Sequence, residues 1–193
     1  MPVRSFNLPA EDEHFAKFFP IYQRQTYWAA MQLTPNTRTA IDIGAHCGFW
    51  TMRLQMDFLR VYAFEPDPKN FKCLNENVWN NVWLFRAALG ADQGWVDLHN
   101  PKPSNTGAWE VIEGDQVIQM RLDDIPMKKL DLVKIDVQGY EEKVLLGASR
   151  TLRTWKPTII MEENAAGSDL LTHWGFRPQV IVNKDTIWKF PDV

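Results

Sequence analysis

Five short apolar runs are spaced along the chain, at residues 39–45, 60–65, 82–88, 130–136 and 157–162. Each is too short for a helix that packs on its own and too continuous for a strand with one wet face. Such runs read as strands buried on both sides. Helical patterns separate them. Residues 11–33 read as a helix ending before Thr34-Pro35, and residues 49–59 as a second. A third follows Asp67-Pro68, an N-cap with proline at the first helical position, and carries Phe71, Leu74 and Val78 on one face. Residues 140–155 place Val144, Leu145, Ala148 and Leu152 on an inner face, and residues 168–174 form a short helix stopped by Gly175. Buried strands that alternate with helices require parallel strand–helix–strand units. Right-handed crossovers then set helices on both faces of the sheet. The expected fold is α/β, a Rossmann-like three-layer sandwich.

One stretch breaks the alternation. Residues 95–99 and 117–122 alternate with period two, like half-exposed antiparallel strands. Between them, residues 100–107 (NPKPSNTG) are loop chemistry. Residues 178–182 and 186–190 read as a closing hairpin.

The chain has 193 residues, enough for one domain with a full core. The expected organisation is a single domain over 1–193, with 1–38 as an N-terminal helical segment and candidate lid and 39–193 as the core. With 21 basic and 24 acidic residues the net charge is −3, which argues against nucleic acid as a partner. No run approaches the roughly 18 apolar residues of a membrane span, and the first residues lack the apolar core of a signal peptide. Two cysteines, Cys47 and Cys73, make no disulfide framework. The expectation is a cytoplasmic protein with no membrane partner.

Ligands of doubly wound sheets bind beyond the carboxyl ends of the strands. Residues 45, 65, 88, 136 and 162 end the five runs and mark where to look. The first end reads Asp42-Ile-Gly44-Ala45-His46-Cys47-Gly48. Gly44 allows a tight turn and close approach of a ligand to the backbone. Glu65 follows 21 positions after Gly44, at the next strand end, where a carboxylate can accept from both hydroxyls of a ribose. A dinucleotide would want the spacing G-x-G-x-x-G. Gly44-x-x-x-Gly48 does not supply it, which disfavours NAD. S-adenosylmethionine carries no phosphate, and Asp42 suits its ammonium and sulfonium charges. A nucleotide-dependent oxidoreductase and a catalytically inactive interaction module on the same fold are the alternatives.

Residues 40–51 (AIDIGAHCGFWT), 62–66 (YAFEP), 121–125 (RLDDI) and 132–148 (LVKIDVQGYEEKVLLGA) resemble successive motifs of the FkbM methyltransferase family. The resemblance runs from about residue 39 to 164. It implies a class I S-adenosyl-L-methionine-dependent methyltransferase, with a mostly parallel seven-stranded sheet whose last strand is antiparallel. The implied activity is O-methylation, often of sugar or polyketide hydroxyls, so the implied partner is a small-molecule or glycan acceptor. Carried over, Asp42, Gly44, Ala45, His46 and Gly48 form the loop at the methionine end. Glu65 holds the ribose and Pro66 shapes its turn. Ala87 and Ala88 lie near the adenine, and Asp136 and Gln138 near the sulfonium and the acceptor. Trp50 and Thr51 open the following helix, touching the cofactor or packing. The family usually has Asn where His46 stands.

Transfer to a hydroxyl needs a proton removed, which a nearby base assists. His46, Asp136, Glu141 and Glu162 are the candidates; His46 has the most suitable unperturbed pKa, near 6.5. Asp136 closes a buried strand and reads more as a cofactor or structural contact. Glu141 reads as a first-turn helix carboxylate. Glu162 and Glu163 are expected to line the acceptor pocket. Asp123-Asp124, Asp136 and Glu162 could offer oxygen ligands, but no spacing demands a metal and none is expected. Asp123-Asp124 are expected to cap a turn before Pro126. Residues 15–28 and 100–107 are the candidate lids, with Tyr22, Arg24, Tyr27, Trp28, Asn105 and Trp109 of a kind that binds sugar faces. Phe18, Phe19, Tyr22 and Trp28 are expected mainly to cover the sheet.

Overall fold

The computed structural model describes residues 6–18 and 21–191. In chain order the elements are α1 (Arg24–Gln32), β1 (Thr39–Ile43), α2 (Thr51–Asp57), β2 (Arg60–Phe64), α3 (Pro68–Asn77), β3 (Val82–Phe85), β4 (Ala88–Leu89), β5 (Gly94–His99), β6 (Glu110–Glu113), β7 (Val117–Met120), β8 (Leu132–Ile135), α4 (Glu141–Leu146), α5 (Ser149–Trp155), β9 (Thr158–Glu162), α6 (Ala165–His173), β10 (Arg177–Val182) and β11 (Asp185–Lys189).

Seven strands form the main sheet in the order β10-β11-β9-β8-β1-β2-β3. Strands β1, β2, β3, β8 and β9 run parallel. The last strand of the chain, β11, is antiparallel to β9, and β10 closes the edge as a hairpin with it. The chain winds outward from β1 to β3, then returns to pair β8 with β1. That reversal opens a crevice at the carboxyl ends of β1 and β8.

Strand periodicity sorts the core. Ile41, Ile43, Val133, Ile135, Ile159 and Met161 face Val144, Leu145, Leu152 and Leu171 of α4–α6. The alternate residues Ala40, Leu132, Ile160 and Ile187 face Tyr27, Ala30 and Leu54 of α1 and α2. Helix α3 covers Ala63 with Leu74. Helices therefore lie on both faces, as expected. Among the described residues no helix is long and apolar enough to cross a membrane.

The structure changes several local expectations. The helix expected over 11–33 is a single 3₁₀ turn at Phe15–Lys17 and then α1. Pro20 falls inside that span and cannot donate to a helix; residues 19–20, and so Phe19, lie outside the described residues. Trp28 is 56% exposed and Phe18 also stays exposed, so neither covers the sheet. The run 82–88 divides. Its first half is β3, and Ala88–Leu89 joins a second sheet, β4-β7-β5-β6, by pairing with β7. Strand β6 is additional to the two expected in that region.

The helix expected over 140–155 breaks at Gly147-Ala148. There Gly147 passes so close to Gly90 that an added Cβ would lie 1.9 Å from its carbonyl oxygen. The carbonyl of Gly147 accepts from Asp123 N–H at 2.9 Å, and the Asp123 carboxylate then accepts from Arg150 and Thr151 N–H at 3.0 and 2.8 Å. Asp123 is thus the cap of α5, 27 positions away, instead of a cap for its own turn.

Candidate active site

The loop after β1 begins with two amides, Gly44 and Ala45, that both donate to the Phe64 carbonyl at 3.0 and 2.9 Å. This stitches the loop across the end of β2. Gly44 has φ +77° and His46 φ +52°. The residue that follows β2 is Glu65, only 4% exposed. Its Oε2 accepts from His46 N–H at 2.8 Å and its Oε1 from Asp67 N–H at 2.9 Å. Each oxygen keeps a lone pair for a further donor. Asp67 in turn caps α3 by accepting from Lys69 and Asn70 N–H, with Pro68 in the first turn.

Burial pushes the Glu65 carboxyl up from its ordinary 4.5 to about 8. The folded chain therefore holds this proton where the unfolded chain releases it. Its contribution to stability is full below about pH 4.5 and is lost as pH rises through about 8. Denaturant unfolding at a series of pH values should show wild type losing stability across that window relative to Glu65→Gln. Parallel profiles would mean that Glu65 is ionised throughout.

A cleft of about 540 Å³, counting its open mouth, lies over these strand ends. Gly44, His46, Glu65, Pro66, Ala87, Ala88, Asp136 and Gln138 all line it. Leu98 and Val111 reach it from the second sheet, and Trp109 from the position before β6. Ala87 and Ala88 contribute only small side chains to its lining. A second pocket adjoins it, shares Gly44, His46, Asp136 and Gln138, and is lined further by Asp42, Ala45, Trp50 and Lys134.

Charge collects at this inner end. Lys134 is 1% exposed, and its Nζ donates to Asp136 Oδ2 at 2.8 Å and lies 5.3 Å from the centre of the Trp50 ring. Burial works against the ammonium, but Asp136, Asp185 and Asp42 around it hold it charged, above the ordinary lysine range. Burial likewise opposes ionisation of Asp136, and the Lys134 ammonium overrides it, holding that carboxyl below its usual value. Asp42 accepts from Thr51 Oγ1 at 2.6 Å, and burial raises it to about 6. Asp42 and Asp136 line the inner pocket with this one ammonium, and Asp185 adds a third carboxyl near Lys134, so the pocket holds more carboxyls than cations.

Not every expected residue meets the cleft. Thr51 stands behind it as the donor to Asp42, and Gly48 packs against α3, near Leu74 and Val78. Trp50 reaches the inner pocket with its Nε1 tied to Gln23 Oε1 at 2.5 Å. Glu162 lines neither pocket; Gln138 Nε2 lies 3.5 Å from its Oε2 and 3.1 Å from Asp136 Oδ1. Glu141, a candidate base from the sequence, is instead a buried staple. It accepts from Gly139 N–H at 3.2 Å and from Asn164 Nδ2 at 2.9 Å. Among the described residues no three His, Cys, Asp or Glu side chains converge as metal ligands.

Lys134, Asp12 and Thr106 join the site without having been singled out. Lys134 could have been found as a lone cation inside an apolar strand. Thr106 Oγ1 lies 2.7 Å from His46 Nε2 and 2.5 Å from Asp12 Oδ2, contacts that span 60 and 94 positions and leave no local signal.

The methyltransferase FkbM domain matches residues 42–177. A hexuronic acid methyltransferase, AglP of Haloferax volcanii, is 31% identical over 56% of this chain and 48% of its own. The 2-O-methyltransferase NoeI of Sinorhizobium fredii is 29% identical over 58% of each. The chain spans about half the length of these curated relatives. In fold it is similar to the N-methyltransferase NodS of Bradyrhizobium japonicum, solved with S-adenosyl-L-homocysteine, at a TM-score of 0.59 and 10% identity, covering 95% of this chain and 94% of that one. The family match takes in the loop after β1, Glu65, both alanines of the cleft and the end of β8, and the chain belongs to the FkbM methyltransferase family.

Proposed function

We propose that the chain is an S-adenosyl-L-methionine-dependent O-methyltransferase whose acceptor is a hydroxyl of a sugar or sugar-like small molecule. The observation that carries this reading is one continuous site, with a buried carboxyl at the end of β2 and a carboxyl-rich pocket at the ends of β1 and β8. Glu65 can accept from ribose hydroxyls, and the part of the cleft lined by Ala87, Ala88 and Trp109 suits an adenine. Asp42, Asp136 and Asp185 around Lys134 suit a ligand end that bears an ammonium and a sulfonium. A pyrophosphate would be repelled there, which argues against a dinucleotide. When bound, S-adenosylmethionine supplies a methyl group made electrophilic by its positively charged sulfur.

The chain's own residues align the acceptor and remove its proton. His46 is the proposed base. Its Nδ1 is buried without a hydrogen-bond partner, and burial lowers its pKa to about 4, so the ring is neutral at pH 7 and able to accept. Asp136 and Gln138 orient the acceptor, and Glu162 holds Gln138. The activities for which the relatives are named, on a hexuronic acid and at a 2-O position, support an oxygen acceptor on a sugar. We read residues 1–193 as one methyltransferase domain with 1–38 as its lid. The free thiols Cys47 and Cys73 support a reducing, cytoplasmic location.

A thermal-shift titration against S-adenosylhomocysteine, S-adenosylmethionine, NAD and NADP tests the cofactor. A ligand at 100 times its Kd adds about 2.7 kcal/mol, or roughly 5–10 °C for a chain of this size. A shift with NAD alone would overturn the reading. At pH 9, where the Glu65 carboxyl is ionised, Glu65→Ala should then weaken S-adenosylhomocysteine by about 1.5–3 kcal/mol, roughly 10- to 150-fold. Unchanged affinity by calorimetry would mean the ribose is held elsewhere.

A further inference from the structure

We infer that Asp12 and Thr106 are positioning residues that fix the proton of His46 on Nε2 and so leave the buried Nδ1 unprotonated, with its lone pair unpaired. The inference rests on the reading of His46 as the base and adds the residues that set its tautomer.

A threonine hydroxyl has one proton to give. Thr106 Oγ1 lies 2.5 Å from Asp12 Oδ2, and a carboxylate there has no proton of its own. The hydroxyl proton must therefore lie on the line to Asp12. The same oxygen is 2.7 Å from His46 Nε2, so it accepts, and Nε2 must carry the donating proton. With the opposite tautomer, either the contact to Asp12 or the contact to His46 would pair two acceptors without a proton. Nδ1, left unprotonated, is the buried atom with no partner.

The rest of the contact shell holds this arrangement. Asp12 Oδ1 accepts from Phe15 N–H at 2.7 Å, and Asp12 Oδ2 also lies 3.3 Å from Thr106 N. Glu13 N–H donates to the Ser104 carbonyl at 3.0 Å. The Phe15 ring lies 4.5 Å from the imidazole, and Phe49 stacks parallel to it at 5.9 Å. The charged or titratable groups around His46 are Asp12, Asp136, Glu65 at its backbone amide, and Cys47 with its Sγ 3.8 Å from Nε2. Three separate segments thus meet on one imidazole: the turn near residue 12, the loop at 106 and the loop after β1. The competent base exists only when the N-terminal segment and the 100–107 loop are both docked.

Asp12→Asn provides a sharp test. Phe15 N–H holds the amide oxygen where Oδ1 stood, so Nδ2 faces Thr106 Oγ1 and donates to it. The threonine hydroxyl then turns to donate to Nε2, and the ring proton moves to Nδ1. A carboxylate that fixes a histidine tautomer fails in this way when it is replaced by its amide. Histidine tautomers are read directly by long-range proton–nitrogen correlation NMR at pH 7, with His46→Gln assigning the signal. The expected result is an Nε2–H ring in wild type, an Nδ1–H ring in Asp12→Asn, and loss of the single-tautomer preference in Thr106→Val. An Nδ1–H ring in wild type, or an unchanged tautomer in Asp12→Asn, overturns the inference. Wild type that fails to bind S-adenosylhomocysteine would sink the function proposed above, yet leave the tautomer result standing.

Discussion

Replacing Lys134 by Met lowers the stability of the chain by about 3–5 kcal/mol, the usual cost of stripping one partner from a buried ion pair. For a chain of this length the melting temperature falls by roughly 6–20 °C. The side chain is 1% exposed, and the methionine fills much of its volume, so lost packing contributes little. The loss is electrostatic. Asp136 loses the ammonium 2.8 Å from its Oδ2, and Asp42 and Asp185 lose their nearest cation. Asp136, now held below its ordinary value, moves up once the Lys134 ammonium no longer offsets its burial. The variant's carboxyls then bind protons more readily than those of wild type. The penalty should therefore shrink as pH falls from 8 towards 5, because protonation removes the uncompensated charge. Adding Asp42→Asn to Lys134→Met should restore part of the loss. Urea unfolding at the two pH values decides the matter. A loss below about 1 kcal/mol, or one that ignores pH, would mean that the cluster is neutral.

The same cluster marks how far the sequence could be read. The parallel core was legible because its strands are buried on both faces, and an uninterrupted apolar run has few other uses. Lys134 was legible in principle, since a cation amid Leu132, Val133 and Ile135 must find buried partners. Its partners were not, because Asp42 and Asp185 come to it from other strands. The second sheet was only half legible. Strand β6 carries an exposed, mixed pattern that local composition does not separate from loop. The break at Gly147 arises from contact with Gly90, 57 positions earlier, and no helical periodicity records it. At the site, Gly44, Glu65 and Asp136 lie on strand ends and were found from order and spacing. Asp12 and Thr106 act through contacts between loops, which only the folded chain brings together. Glu141 shows the converse: a carboxylate at a suggestive place that the fold spends on stapling its own loop.

Gly44→Ala should abolish cofactor binding, and it separates two reasons for glycine. At φ +77° any residue with a Cβ carries a conformational cost of about 1–2 kcal/mol. Steric overlap adds to it. The new Cβ would lie 1.9 Å from the Asp136 carbonyl oxygen and 3.0 Å from its carbon, far inside contact distance. The neighbour cannot yield easily, because Asp136 N–H donates to the Ile43 carbonyl at 3.0 Å and Ile43 pairs with Ile135 in the sheet. Relief must come from parting the ends of β1 and β8, the two strands between which the crevice opens. Gly139 supplies the control. It has φ +92° with nothing within 4 Å of an added Cβ, so Gly139→Ala carries the backbone cost alone. The expected pair of results is about 1–2 kcal/mol lost in Gly139→Ala with S-adenosylhomocysteine still bound, and no detectable binding in Gly44→Ala. Circular dichroism would show whether Gly44→Ala keeps its sheet, and calorimetry would read the ligand. If Gly44→Ala binds as well as Gly139→Ala, the ends of β1 and β8 are looser than their contacts imply, and the close approach at Gly44 does not shape the cofactor cleft.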